Sequence, residues 1–401
     1  MKILMVNLVP LAGSGSGVYA ANLANALCRI GHEVCCIFPE NATVDPREYE
    51  FKIHPIYCVD DNQKAPNVTE NVIPFNFPCF TTHPRSVMNF RELSDSQLQI
   101  YIDAFRSAIT QEVSDFKPDV IHSGHIWISS AISGEFNIPL VITCHGTDII
   151  GFSESNRFHD YANAAAERAS AIICISEQNL NLMKKHFPDQ SHKARLMPNG
   201  YDSSVFYREP HSIAAVLAEY GIEKSYNNLV SFAGKFTYFK GIDVLLNAAA
   251  LYSDGETATL LAGDGELFDE MNALAQNLGL QDVYFLHNQP HDRLRQLYNA
   301  ADVSLVTSRG EAFGLVVIEA NACGAPVIGT NDGGITGILT PQTGILISPE
   351  DPEAVAANVK AIINGEKTFN RQFISDYTKA TFSQEKLIAE TVALYQSIKT
   401  V

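Results

Sequence analysis

The chain has 401 residues, enough for two or three domains of ordinary size. Hydrophobic residues make up 46% and charged residues 18%, a globular balance that can fill two cores. A formal net charge of −17 repels polyanions, which excludes DNA and RNA as expected partners.

The opening run Met1 to Val6 is short, apolar and closed by Asn7 and Pro10, without the features of a secretory signal. No stretch approaches the roughly 18 apolar residues that would span a bilayer, so no stable membrane insertion is expected. The eight cysteines are scattered, with Cys35 beside Cys36 and no C-x-x-C pair, as expected of buried thiols in a reducing compartment. These features predict a cytoplasmic protein, whose sequons at Asn41-Ala42-Thr43 and Asn67-Val68-Thr69 then mean nothing.

Short apolar runs alternate with amphipathic stretches, the signature of parallel α/β units. Strands are predicted first at Ile3–Val9, Glu33–Phe38, Val120–His122, Leu140–Cys144 and Ala171–Ile175. Between them Val18, Leu23, Leu27 and Ile30 form one helical apolar stripe, and Leu93–Val113 holds another. The stretch from Pro39 to about Arg91 fits this rhythm worst and reads as long loops. Pro198-Asn199-Gly200 and the polar residues after it read as a turn and linker, beyond which the rhythm restarts. Strands follow at Leu229–Ala233, Ala258–Ala262, Val283–His287, Val303–Thr307 and Pro326–Gly329. Helices are predicted at Gly241–Leu251, after Gly265, at Asp292–Asn299, Leu315–Ala322 and Pro352–Ile363, and near Gln384–Ile398. Each half therefore predicts a doubly wound Rossmann-like domain with ligands beyond the carboxyl ends of its strands, the two facing across an interdomain cleft.

Four segments carry chemistry. Gly13-Ser14-Gly15-Ser16-Gly17 joins the first strand to the first helix, where glycine lets a ligand approach the backbone and a helix start offers N–H groups to an anion. Gly15, Gly17 and Ala20 also fit G-x-G-x-x-A, and Glu40 follows the second strand, so a dinucleotide site with a ribose-binding acid is an alternative. Thr143-Cys144-His145-Gly146-Thr147-Asp148 closes a strand, from which an imidazole can donate or accept in a crevice. Gly234-Lys235-Phe236-Thr237-Tyr238-Phe239-Lys240-Gly241 sets two cations at a helix start, suited to a diphosphate whose charge grows as a bond to sugar breaks. Glu311-Ala312-Phe313-Gly314-Leu315-Val316-Val317-Ile318-Glu319 places backbone N–H groups of Gly314, Leu315 and Val316 at a helix start, with a carboxylate on either side for hydroxyl groups. The sequence contains no D-x-D pair, metal-ligand spacing or G-x-S-x-G elbow, so no metal or other cofactor is expected.

In this order, with Pro-Asn-Gly-x-Asp at 198–202 and Gly-Asp-Gly at 263–265, the segments resemble the family-four retaining glycosyltransferases over about 300 residues. The resemblance implies a GT-B fold, with an acceptor-binding domain at 1–200 joined by the last helix from about 384, and a nucleotide-sugar-binding domain at 201–383. It implies that Gly17 meets the donor diphosphate or the acceptor and that His145 touches the donor sugar. Lys235 and Lys240 would hold the diphosphate, with Gly234 in the same loop. Glu311 would bind a sugar hydroxyl, the backbone of Phe313, Gly314, Leu315 and Val316 the phosphates, and Glu319 the ribose. At 235 the family commonly has arginine, and lysine keeps its charge without the bidentate fork.

The implied reaction is same-face displacement, the leaving phosphate helping to take the acceptor's proton. The glycine loop with His-Gly-Thr-Asp is similar to members using UDP-N-acetylglucosamine on small acceptors, such as the N-acetylglucosaminyl malate synthases. That donor is expected first and UDP-glucose next. The acidic loop Asn41–Glu70 presents no face for an anionic membrane, so a soluble small-molecule acceptor is expected, and a cationic amino-cyclitol is compatible. Tyr19, Arg85, Trp127 and Asp148 are its candidate contacts, and the stretch Phe75–Arg91 with Trp127 is expected to shape this pocket, its Phe residues being equally compatible with a core. A nucleotide-sugar 2-epimerase of the same fold, a non-catalytic nucleotide-sugar sensor and an NAD-dependent oxidoreductase remain the competing readings.

Overall fold

A computed structural model describes residues 1–68, 72–80, 83–311 and 313–399. Thr69 of the second sequon, Glu70 of the acidic loop and Ala312 of the fourth motif lie outside the described residues. The chain divides into two compact units, one of Met1–Pro198 with Ile388–Val401 and one of Asn199–Leu387.

Among the described residues the first unit holds seven parallel strands: β1 (Lys2–Val6), β2 (Glu33–Glu40), β3 (Lys52–Tyr57), β4 (Val120–Gly124), β5 (Leu140–Cys144), β6 (Ala171–Cys174) and β7 (Ala194–Leu196). Their order is β3-β2-β1-β4-β5-β6-β7. The helices between them are α1 (Gly15–Arg29), α2 (Asp95–Asp115), α3 (Ile128–Ser133), α4 (Thr147–Glu154), α5 (His159–Arg168) and α6 (Glu177–His186). The second unit carries α7 (Ile213–Glu219), β8 (Asn228–Ala233), α8 (Ile242–Tyr252), β9 (Thr257–Ala262), α9 (Phe268–Asn277), β10 (Val283–Leu286) and α10 (His291–Ala300). It continues with β11 (Val303–Val306), α11 (Leu315–Ala322), β12 (Val327–Thr330), β13 (Gly344–Ile347), α12 (Pro352–Ile363) and α13 (Arg371–Phe382). Its six strands run β10-β9-β8-β11-β12-β13, all parallel. The last helix, α14 (Gln384–Lys399), begins in the second unit and ends in the first, where Tyr395 is buried and Lys399 pairs with Asp119 at 2.7 Å.

Central strands of both sheets are buried along nearly their whole length because helices cover both faces. Leu4, Val6, Ile121 and Ile142 anchor the first core, and Val230, Phe232, Leu305 and Ile328 the second. The first helix departs from expectation in its buried face. Val18 and Ile30 are exposed, and Ala20, Ala24 and Ala26 join Leu23 and Leu27 inside, since small side chains let α1 lie close on the sheet. The stretch expected to be loops supplies β3, and β2 runs on through Pro39 to pair with it. Among the described residues no helix is long and apolar enough to cross a membrane.

Candidate active site

Strand order reverses between β1 and β4 in one sheet and between β8 and β11 in the other. Such reversals part the loops beyond the strand ends and open space for ligands there.

In the second unit, β8 runs into Gly234–Lys240 and β11 into Ser308–Gly314. Lys240 Nζ donates to Glu311 Oε2, so both charged motifs meet in one ion pair, each side chain about one-fifth exposed. Gly241, in the left-handed region at φ 60°, begins α8, and a Cβ there would stand 2.1 Å from the Thr307 carbonyl. Thr307 Oγ1 also donates to the Gly241 carbonyl at 2.8 Å, fastening the two loops together. Arg309 adds a second fastening: its backbone N–H donates to Phe239 O at 2.7 Å and its guanidinium to Tyr238 O and Asp243. Behind Glu311, Gly333 adopts φ 65° with its missing Cβ position 2.2 Å from the Glu311 carbonyl, which accepts from Gly334 N at 2.6 Å. The carboxylate of Glu311 is thereby fixed through its own backbone.

α11 starts at Gly314, whose φ of 104° turns the chain into the helix with no side-chain cap. The N–H groups of Leu315 and Val316 precede the first i→i−4 acceptors, so they and the helix dipole face whatever lies before the helix. Phe313 points inward against Phe382, with ring centroids 6.4 Å apart, and pins this turn. Gly234 lies beside the Lys240 side chain, while Lys235 is exposed and makes no ion pair among the described residues. Within α11 the Glu319 carboxyl has no hydrogen-bond partner among the described residues, and burial pushes its pKa up to about 7. Gly263 and Gly265 have a packing role, for Cβ atoms there would meet Gly234 O at 1.9 Å and Phe236 O at 2.4 Å.

In the first unit, His145 follows β5 and is buried beside His125 and Tyr19, with ring centroids 4.8 and 5.2 Å away. His145 and Tyr19, together with Asn7, His122 and Thr143, line a small recess under the ends of β1, β4 and β5. Burial holds His145 well below the ordinary imidazole pKa, with His125 and His122 adding to the effect, so it is neutral at physiological pH. His122 lies at about 4 for the same reason, bonded to Tyr395 Oη at 2.5 Å and Thr143 Oγ1 at 2.7 Å. Tyr19 is pushed up to about 12 by burial and remains a neutral phenol.

The remaining candidates have packing or hydrogen-bonding partners within the protein. Asp148 is fully buried, and its two oxygens accept from Ile126 N and Gly146 N, each at 2.9 Å, which makes it a brace between the ends of β4 and β5. Trp127 is a core residue, packed among Phe80, Phe90 and Phe158. Gly17 is demanded by packing, since a Cβ would lie 2.0 Å from Pro10 O, and its N–H donates to the Ser14 cap at 3.1 Å. Gly15 has open space around it and is the part of that loop a ligand could reach. Arg85 grips Glu40 with both its terminal nitrogens, at 2.5 and 3.2 Å, and Glu40 also accepts from Asn41 N and Ala42 N. The acid required by the dinucleotide reading is therefore already filled with protein donors. Arg309, the Gly333-Gly334 turn and His125 carry the site and were not singled out from the sequence. The Asn331-Asp332-Gly333-Gly334 run after a strand was the available signal.

Two doubly wound domains with ligand loops at both reversal points define the GT-B class of sugar-transferring enzymes. Residues 13–205 match the model described as Glycosyltransferase Family 4 and residues 220–379 the one described as Glycosyl transferases group 1. The chain belongs to this family of glycosyltransferases. It is 28% identical over 412 residues to a D-inositol 3-phosphate glycosyltransferase of Mycolicibacterium gilvum, covering 96% of this chain and 86% of that one. It is 24% identical over 399 residues to the N-acetyl-alpha-D-glucosaminyl L-malate synthase of Bacillus anthracis, covering 96% and 94%. Among solved structures it is similar to Anabaena HepE in complex with UDP, with a TM-score of 0.74, 18% identity and coverage of 99% and 100%.

Proposed function

We propose that this enzyme moves a hexosyl group from a UDP-sugar to a hydroxyl of a small soluble acceptor, with retention at the anomeric carbon and without a metal ion. N-acetylglucosamine is the first choice of sugar and glucose the second. The observation that carries the reading is the Lys240–Glu311 pair fixed in front of the α11 helix start. Lys240, Lys235 and the N–H groups of Leu315 and Val316 can neutralise a diphosphate leaving group, which stabilises the charge that grows as the sugar departs. Freed from Lys240, Glu311 accepts a sugar hydroxyl, and Glu319 accepts from ribose. Neutral His145 serves the transferred sugar, able to donate from one ring nitrogen and accept at the other.

In the step itself the bond from C1 to the phosphate oxygen breaks as the acceptor oxygen bonds to C1 on the same face. The acceptor's proton passes to the departing phosphate. Relatives support the substrate classes: two are named for transfer to inositol phosphate and for a glucosaminyl malate product, and the Anabaena protein is solved with UDP and with UDP-glucose. The eight free thiols, seven of them buried, suit a reducing cytoplasm.

Thermal melting with EDTA present tests the donor assignment against UDP-N-acetylglucosamine, UDP-glucose, GDP-mannose and NAD. A ligand held only by the folded state at 100 times its Kd adds about 2.7 kcal/mol, a visible rise in Tm. A rise with a UDP-sugar and none with NAD is the expected result. A rise with NAD alone, or with a UDP-sugar only after metal is restored, contradicts it.

A further inference from the structure

His125 sits one residue beyond β4, buried, and with φ at 71°, in the left-handed region that few residues other than glycine occupy. The conformation is held from several sides. Its N–H donates to Thr143 O at 2.8 Å, its carbonyl accepts from Ser130 Oγ at 2.5 Å and Trp127 N at 3.0 Å, and Asp148 takes the next N–H. Its Nδ1 is buried with no hydrogen-bond partner among the described residues, although buried ring nitrogens are ordinarily paired. What the ring does touch is His145, at 4.8 Å between centroids and tilted by 51°, with Phe80 on another side at 5.2 Å. The same carboxylate, Asp148, braces the backbone beside both histidines. Strained backbone kept in place by surrounding bonds is characteristic of sites where geometry serves function.

We propose that His125 is a positioning residue for His145: its ring is the wall that fixes the orientation of the His145 imidazole toward the transferred sugar. The proposal rests on the sugar-transfer reading for its purpose, and on the first unit alone for its geometry. Asp148 acts one step further back, holding the turn that carries His125 against the loop that carries His145.

The test replaces the ring while respecting the backbone, through His125→Gly, and through His125→Asn, which also tolerates the left-handed region. The first readout needs no donor. In 15N-histidine spectra of the full chain, the His145 ring signals are expected to shift and broaden in both variants, and unchanged signals would overturn the proposal. The second readout is UDP released from UDP-N-acetylglucosamine. Turnover is expected to fall about tenfold or more with donor Kd changed less than about threefold, because orientation is lost and binding is kept. Added imidazole is expected to restore part of the turnover of His125→Gly, where it can refill the ring's place, and none in His125→Asn. Full turnover in both variants overturns the proposal. A wild type that releases UDP from no UDP-sugar sinks the functional reading instead, and the His145 signals then decide the role of His125. If His125→Gly fails to fold, His125→Asn carries both readouts.

Discussion

Burial raises the Glu319 carboxyl to about 7 against 4.5 for an ordinary glutamate, so the folded protein binds a proton there that the unfolded chain has already released. The sign follows from linkage: the contribution of this one group to stability is greatest below about 4.5 and declines as pH rises toward 7, because its ionisation is disfavoured in the fold. Glu319→Gln is therefore expected to melt higher than wild type at pH 8 and close to it at pH 4. The same substitution is expected to weaken UDP binding, for a ribose hydroxyl would lose a charged acceptor. A variant that is destabilised at pH 8 with UDP affinity unchanged would show that Glu319 is merely a packed residue. The carboxylates eight residues apart and the lysines before a helix were visible in the sequence, because each belongs to a local strand–loop–helix pattern. Arg309 and Gly333 were not, since Tyr238 and Asp243 lie 66 to 71 residues from Arg309, and Glu311 lies across a strand from Gly333.

At the scale of elements, turns at strand ends place the chemistry and glycines let them pack. Gly333→Ala would put a Cβ 2.2 Å from the Glu311 carbonyl at a φ of 65°, a clash and strain together. The expected outcome is a loss of roughly 1–3 kcal/mol and a drop in turnover larger than that of Gly279→Ala, which shares the positive φ but meets no atoms. Paired melting and activity measurements on the two variants check this. Equal effects would detach the Gly333 turn from the positioning of Glu311. Element by element, the strands that went unread, β3, β7 and β13, all lie at sheet edges. Lys52-Ile53-His54-Pro55-Ile56-Tyr57 carries a proline that an edge tolerates and a central strand does not, and its sequence lacks the apolar run that marks β1 or β5. Helix α1 buries Leu23 and Leu27 of the expected stripe and exposes Val18 and Ile30, because alanines bury as effectively as leucines where a helix lies close to a sheet.

For the whole molecule, the sequence conveyed the α/β repetition and its restart near Pro198, since each unit writes its strand–helix rhythm into consecutive residues. The recess around His145 was beyond such reading. Asn7, Tyr19, His122 and Thr143 come together only when β1, β4 and β5 align, and no spacing along the chain announces it. Loss of His145 in the first unit, or of Lys240 or Glu311 in the second, is each expected to stop turnover without stopping folding. NMR of purified protein with UDP-N-acetylglucosamine follows this directly, recording UDP release and the anomeric form of the sugar as it first appears. Wild type is expected to release UDP with the α-configuration preserved, and folded Glu311→Ala and Lys240→Ala each to lose most of that turnover, by roughly a hundredfold. Inverted product, or wild-type turnover in either variant, would contradict the assignment of a retaining glycosyltransferase centred on the Lys240–Glu311 pair.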